Sequence, residues 1–205
     1  MAAQPTPTPC TRRAAGTEAC FREAEELQAG SQPEYPLLYS QAGFQYCDLL
    51  LAAAERAAWR HMLHSSRIPQ PSPLPESYRA VSERAARTLQ WVERVNLSLL
   101  DIALDQLTVG RAALYAAILE GIPLDQLDPC RESLQHAVDG LRRAGSQGHL
   151  PLGLLTRAWL RFLTGARTGP ENAQSDLDEA WESLGAGRCR WSWRTFICIG
   201  RGCLD

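Results

Sequence analysis

The sequence of 205 residues contains no lysine, so all 21 of its basic residues are arginine. These are balanced by 23 acidic residues, and the formal net charge of −2 provides no excess of positive charge for binding nucleic acid. The chain lacks any uninterrupted run of about 18 apolar residues, which predicts that no segment spans a membrane. Its first 16 residues lack the apolar stretch of a secretory signal, and we therefore expect a cytoplasmic location.

Motifs for catalysis or metal binding are also missing. The sequence contains no phosphate-binding loop of the form G-x-x-x-x-G-K-[ST], no H-E-x-x-H motif and no G-x-S-x-G motif. His61 and His64 could share a helix face, but no third metal ligand is near them, and Cys198 and Cys203 have no second cysteine pair. We therefore predict a protein that is not an enzyme, with no catalytic residue, metal or cofactor. The seven cysteines follow no regular spacing and are expected to be free thiols.

The residues that are present predict a helical fold. A content of 45% hydrophobic and 21% charged residues is sufficient for a buried core. Apolar residues recur with helical periodicity between proline and glycine breaks, and no segment alternates as a strand would. The predicted helices cover approximately 17–28, 35–51, 52–64, 76–95, 97–120, 127–144, 149–163 and 172–184. The fold class is therefore all-α, built from antiparallel helical hairpins.

A pattern of residue sizes repeats along the chain. In each copy a small residue is followed four positions later by a large apolar one, and three positions after that by a small or apolar one. Successive copies begin 45 and 43 residues apart. These spacings place the three residues on one helix face, where the small residue allows a partner helix to approach and the large one fills the groove. The copies are Ala85, Leu89 and Val92; Cys130, Leu134 and Ala137; Ala173, Leu177 and Ala180; and, more loosely, Thr17, Phe21 and Ala24.

A second signature accompanies this pattern, since the small pair Ala42 and Gly43 is followed by Tyr46. Together the two patterns resemble the tetratricopeptide repeat, in which a Leu-Gly-x-x-Tyr helix pairs with an Ala-x-x-x-Phe-x-x-Ala helix. The resemblance covers residues 17–187 and implies hairpins stacked as a short right-handed solenoid. The spacing exceeds the usual 34 residues, which implies inserted loops, as at 66–75 and 166–171. Arg161 stands where the family prefers tyrosine, and a non-repetitive helical bundle remains the alternative.

The resemblance also implies a function. Tetratricopeptide arrays bind proteins or peptides, so the expected role is a non-catalytic scaffold for protein–protein interaction, with no nucleic acid or membrane as partner. The first helix of each hairpin would line a concave groove. Phe44 and Asp48 on one such helix, and Trp159 and Phe162 on another, are the candidate partner-binding residues. The alternative is that these four side chains only fill the core.

Another role is implied by two neighbouring segments. Residues 33–40 and 44–51 are similar to a stretch of bacterial repeat proteins in which such arrays often follow a signal-transducing NTPase. Because the chain contains no phosphate-binding loop, only the repeat part would be present here. The alternative function is therefore a regulatory or sensor fragment of a larger signal-transducing NTPase.

The two ends depart from the repeat pattern. Residues 1–16 are proline-rich and expected to be disordered, whereas residues 188–205 are irregular and carry four arginines and one acid. Read one base earlier, every tryptophan or cysteine codon becomes a codon for leucine, methionine or valine. The tail would then read as an apolar helix, and we interpret it as a frameshift product; a native Arg/Trp-rich tail is the alternative. The positions concerned are Cys189, Trp191, Trp193, Cys198 and Cys203.

Neither end of the predicted repeat region shows the polar capping helix that solenoids need. The helix at 17–28 is similar to the second helix of a hairpin, and the helix at 172–184 has no predicted neighbour after it. We therefore expect a truncated array of marginal stability with a tendency to self-associate.

Overall fold

A computed structural model describes residues 9–63, 75–95, 98–169 and 171–186. These residues form seven α-helices and no strand, so the predicted all-α class is confirmed for the described part of the chain. The helices are α1 (Pro9–Ser31), α2 (Ser40–Leu63), α3 (Pro75–Arg94), α4 (Leu99–Glu120), α5 (Asp128–Arg143), α6 (Leu150–Leu163) and α7 (Ala173–Ala186), with a 3₁₀ turn at Leu124–Gln126.

Helices α1 and α2 differ most from the sequence prediction, and α2 begins at Ser40 rather than at Tyr35. Helix α1 begins at Pro9 rather than at Thr17, because proline is tolerated in the first turn of a helix, where its missing N–H has no partner to lose. The two predicted helices at 35–51 and 52–64 are one continuous helix, α2. No proline or glycine separates Leu51 from Ala52, so nothing local ends the helix there. The predicted loop at 66–75 and the tail at 188–205 lie almost wholly outside the described residues, except that Pro75 begins α3.

Glycines end three helices where the sequence predicts. Gly121, Gly145 and Gly165 have φ angles of 67°, 65° and 84°, a left-handed conformation that glycine adopts without a Cβ clash. At the start of α4, the side chain of Ser98 accepts a hydrogen bond from the backbone N–H of Asp101. Local signals of this kind explain why most helix ends are readable from sequence.

Helix α4 is the centre of the fold and packs against α2, α3, α5 and α6. Its length and composition would allow it to cross a membrane, but 67% of that stretch is buried inside the protein. Consecutive helices are antiparallel: in the α4–α5 pair, Gly110 lies against Leu134 and Gly140 lies against Ala103. The first helices α2, α4 and α6 run parallel to one another. Ser40 at the start of α2 donates to Asp101 near the start of α4, and the contacts between α2 and α6 are described in the next subsection.

The repeated size pattern maps onto the second helices of the pairs. Ala85 and Val92 on α3 are buried, and all three pattern residues of α5 are buried. Helix α3 packs chiefly on the following helix α4, whereas Cys130 and Leu134 of the α5 pattern lie against Gly110 of the preceding helix α4. On α7, Ala173 and Ala180 are buried, but Leu177 is 42% exposed. The large residue of this third pattern therefore lies largely at the surface.

Candidate functional site

An arginine lies in the middle of the apolar helix α4. Arg111 has only 2% of its side chain exposed, because α2 and α6 lie on either side of it. A charged group in such a place needs partners that satisfy its hydrogen-bond donors. The residues around Arg111 are therefore the first candidate for a functional centre.

Each nitrogen of this guanidinium donates a hydrogen bond. Nη1 donates to Oδ1 of Asp48 at 2.7 Å, and Nη2 donates to Oε2 of Glu55 at 3.0 Å. Nε donates to the hydroxyl of Tyr115, one turn further along α4, at 3.2 Å. Asp48 and Glu55 are seven residues apart on α2, so two turns of that helix place both carboxylates over the same arginine. The centre thus joins α2 to α4.

The electrostatics of this centre keep the arginine charged. Burial acts to lower the pKa of Arg111, but Tyr115 and the carboxylates of Asp48 and Glu55 outweigh it and hold that pKa well above the ordinary value. Burial also raises the pKa of the Tyr115 hydroxyl above its ordinary range, so this group stays protonated. The arrangement suits a permanent ion-pair network between α2 and α4.

Aromatic rings extend this junction along α6. The rings of Trp59 and Trp159 stack with centroids 3.9 Å apart and planes inclined by 16°. Tyr115 contacts Trp159 at 5.8 Å, and at the other end of the two helices Phe44 meets the ring of His149 edge-on at 5.3 Å. Because residues near the start of α2 meet the start of α6 and residues near its end meet the end, these helices are parallel. Neither indole N–H finds a hydrogen-bond acceptor among the described residues.

The four candidate partner-binding residues occupy different places. Phe44 and Trp159 are buried, with 6% and 7% of their surfaces exposed. Asp48 is bound to Arg111 and keeps about half of its side chain exposed. Phe162 is 46% exposed and lies under the guanidinium of Arg167, at 4.4 Å. The structure therefore brings Asp48 and Trp159 to one junction and leaves Phe162 at the surface.

Several residues of this centre were not predicted from the sequence, namely Arg111, Glu55, Tyr115 and Trp59. One signal was available for the first of them, because a single basic residue lies within an otherwise apolar stretch of α4. Such a residue either interrupts a core helix or marks a buried ion pair. Its partners are 63 and 56 residues away, and no local pattern identifies them.

A second buried polar group lies where α1, α2, α3 and α4 meet. Asp105 on α4 is 5% exposed, and its Oδ2 has no hydrogen-bond partner among the described residues. Burial raises the pKa of Asp105 to about 7; the nearby Asp101 also raises it, while Thr88 and Arg84 act to lower it. Arg84 on α3 forms an ion pair with Glu25 on α1, which fastens the first helix to the rest.

A third network joins α6 to its neighbours. Arg157 donates to both carboxylate oxygens of Asp176 on α7, at 3.1 and 2.6 Å, and to Oε1 of Gln135 on α5 at 2.9 Å. Arg161, which departs from the tetratricopeptide pattern, also donates to Asp176 at 3.0 Å. Its guanidinium thus adds a second ion pair within the α6–α7 hairpin.

The described residues add no candidate metal site and no disulfide. The described residues contain no group of three or more His, Cys, Asp or Glu side chains placed to hold a metal ion. His61 is exposed, whereas His64, Cys198 and Cys203 lie outside the described residues. Cys20, Cys47 and Cys130 are free thiols, as predicted for the cysteines, and burial raises the pKa of Cys47 to about 11.

Large apolar side chains are exposed on the α6–α7 hairpin. Phe162 lies near the end of α6, and Leu177 and Trp181 lie on α7, with 42% and 68% of their surfaces exposed. Trp181 is four residues after Leu177, so the two share one side of the helix. This hairpin carries the largest aromatic surface that the described residues expose.

Comparison with known proteins identified no relative. No protein-family model matches the chain, no curated protein matches it, and no solved structure matches it.

Proposed function

We propose that this protein is a non-catalytic scaffold for protein–protein interaction, built as a tetratricopeptide-like array of stacked hairpins in the cytoplasm. The main observation that supports this proposal is the repeated size pattern. On α5, Cys130 and Leu134 of the pattern are covered by helix α4 at Gly110, whereas the α7 copy keeps its large residue, Leu177, 42% exposed. An apolar position that a helix covers on α5 and that is exposed on α7 is suited to receive a helix from a partner.

The order of the helix contacts supports the interpretation of the chain as a helical repeat. Each described helix from α2 onward packs antiparallel on the next, and the first helices α2, α4 and α6 lie side by side in parallel. Helical repeats produce this arrangement because every hairpin buries its apolar face against its neighbours. A non-repetitive bundle has no reason to repeat the same size pattern at near-constant spacing.

The same geometry favours the α6–α7 hairpin as the binding surface, rather than a concave groove lined by all of the first helices. Phe44 and Trp159 are occupied by contacts within the protein, and Arg111 is buried in ion pairs with Asp48 and Glu55. Among the four candidate residues, Phe162 offers the largest accessible apolar surface. Exposed aromatic side chains of this kind are typical anchors of protein interfaces.

A display screen tests this proposal. The folded full-length protein is immobilised and selected against a library of helical 20-residue peptides. We expect binders whose affinity falls at least about tenfold in the Leu177→Ser or Phe162→Ser variant, with melting temperature unchanged, because exposed apolar anchors dominate such interfaces. Gln174→Ala, an exposed change on the same helix, is the control. A folded sample that selects no peptide, or only peptides insensitive to both changes, contradicts the proposal.

A further inference from the structure

The outer side of α7 is apolar along one line. Leu177 and Trp181 are exposed and lie one helical turn apart. At the corresponding position of the size pattern, Leu134 on α5 is fully buried and Leu89 on α3 is half-buried. On α5 the position that corresponds to Trp181 is Val138, which is buried and lies beside Gly153 of the following helix α6. Exposure of a large apolar pair in this place on α7 indicates a helix-binding face.

Acidic residues border this apolar line. Helix α7 contains four acidic residues and no basic one. Asp176 and Glu179 face inward and are held by Arg157 and Arg142, at 2.6 Å for the first pair. Asp178 and Glu182, directly after the two apolar residues in sequence, point to solvent instead.

These two outer carboxylates are accessible to a binding partner. Asp178 accepts a hydrogen bond from Gln174 on the same helix, and no ion pair joins Asp178 or Glu182 to any described arginine. The binding face therefore combines two apolar anchors with a parallel row of two negative charges. A ligand that fits it needs apolar residues one turn apart and basic residues beside them.

Resting on the function proposed above, we propose that this α7 face binds a basic amphipathic helix of another protein. Helix α6 fills the corresponding place beside Val138 of α5, and the periodicity of a helix matches residues one turn apart. Positive charge follows from the two solvent-facing carboxylates. A second copy of this chain fits less well, because pairing α7 with α7 would bring the acidic rows of both copies together.

The size of the face sets the strength of binding. Two apolar side chains and their surroundings cover a few hundred Å², well below the roughly 800 Å² per partner of a standard interface. We expect a dissociation constant in the micromolar range that weakens as salt rises, since the charge contacts are exposed.

Fluorescence anisotropy of the full chain tests the proposal with two labelled 18-residue peptides. Both carry leucines at helical spacing; one has arginines at the remaining interface positions and the other has glutamates. We expect only the arginine peptide to bind. Trp181→Ser and Leu177→Ser should each weaken it by about tenfold, and the double variant Asp178→Asn/Glu182→Gln should weaken it severalfold and flatten its salt dependence.

Matched controls assign the effect to this face. Leu27→Ser removes an exposed apolar side chain from α1, and Asp128→Asn removes an exposed carboxylate from α5; both should leave binding of the arginine peptide unchanged. Far-UV circular dichroism and melting curves check that every variant folds. Equal binding of both peptides, or binding that survives the α7 changes, would overturn the proposal.

Two further outcomes distinguish this proposal from its alternatives, which are occupation of the face by the chain itself and peptide binding elsewhere on the protein. If the arginine peptide binds only after Arg188, Arg190, Arg194 and Arg201 are changed to serine, the chain's own C-terminal segment occupies the face, and a partner in trans is refuted. If library peptides bind elsewhere on the folded protein while the arginine peptide does not, the scaffold function stands and the α7 proposal fails.

Discussion

Three arginines hold pairs of helices together in this protein. Arg84 joins α3 to α1, Arg111 joins α4 to α2, and Arg157 joins α6 to both α5 and α7. The planar guanidinium offers several donors at fixed angles, so one side chain can satisfy acceptors on two helices at once. In a chain without lysine, arginine carries every buried positive charge.

The Arg111 centre predicts a large loss of stability on truncation. Arg111→Ala removes a fully buried side chain and leaves Glu55, with 15% of its side chain exposed, without its cation. We expect the free energy of unfolding to fall by about 3–5 kcal/mol, measured by urea denaturation. Arg131→Ala on the surface of α5 is the control and should change it by no more than about 1 kcal/mol.

A combined variant tests whether the unpaired carboxylate causes this loss. Arg111→Met together with Glu55→Gln keeps the volume and removes the orphaned charge, so part of the stability should return. If this double variant is no more stable than Arg111→Ala, the ion pair does not explain the effect.

Asp105 predicts a pH dependence of stability. Its pKa is about 7 in the folded protein, above the value of about 3.9 for an unfolded aspartate. The folded state therefore binds the proton more tightly, and the stabilisation from this group is complete below about pH 4 and is lost as the pH rises to 7. Asp105→Asn should be more stable than the parent protein at pH 8, by about 2–4 kcal/mol, and nearly equal to it at pH 4.

Chemical denaturation at pH 4, 6 and 8 measures the difference between the Asp105→Asn variant and the parent protein. Subtracting the two curves removes the contributions of the other titrating groups, among them Glu120 and Glu179, whose pKa values are lowered by hydrogen bonds from Tyr78 and Arg142 respectively. Parallel curves over this range would mean that Asp105 titrates normally.

At the scale of the helices, close approach depends on small residues. A Cβ atom at Gly140 would lie 2.8 Å from the Cβ of Ala103, and one at Gly110 would lie 2.6 Å from a methyl of Leu134. At Gly43 it would meet the carbonyl oxygen of Leu38 at 2.4 Å. Helices α4 and α5 therefore approach more closely than larger residues permit.

Gly140→Ala tests this contact directly. The added methyl group meets Ala103, whose Cβ cannot rotate away, so α4 and α5 must shift apart. We expect a loss of about 1–3 kcal/mol in the free energy of unfolding and a lower melting temperature. Gly16→Ala on α1 meets nothing within 4 Å and should raise helix stability by roughly 0.5–1 kcal/mol. Equal effects at the two sites would contradict a tight α4–α5 contact.

At the scale of the whole molecule, the helices differ in how many neighbours support them. Helix α4 packs against α2, α3, α5 and α6, whereas α7 packs chiefly against α6. Helix α1 touches α2 and is fastened by the Glu25–Arg84 pair and by Gln28, which donates to the carbonyl oxygens of Tyr35 and Leu37. In a stacked array, elements with fewer neighbours open at lower free energy.

Hydrogen exchange followed by mass spectrometry checks this order. We expect the backbone amides of α4 to exchange most slowly and those of α1 and α7 to exchange fastest. Glu25→Gln should accelerate exchange in α1 while leaving α4 unchanged, because it weakens the ion pair to Arg84. Uniform exchange across all helices would instead indicate a single cooperative bundle.

Most of the secondary structure could be predicted from the sequence, because its causes are local. The left-handed glycines Gly121, Gly145 and Gly165 end helices where their positions indicate, and the small residues Ala85, Cys130 and Ala173 of the size pattern are buried as predicted. Backbone conformation and helical periodicity act over a few residues, so they are visible in the chain itself.

The tertiary structure alone decided which side chains meet. Phe44 and Trp159 were candidates for binding a partner, and packing of α6 beside α2 places both in contacts within the protein. Arg111 stands alone in the sequence of α4, and only the fold brings Asp48 and Glu55 to it from 63 and 56 residues away. Local rules determine where helices begin and end, but the contacts between distant helices depend on how all of their surfaces pack at once.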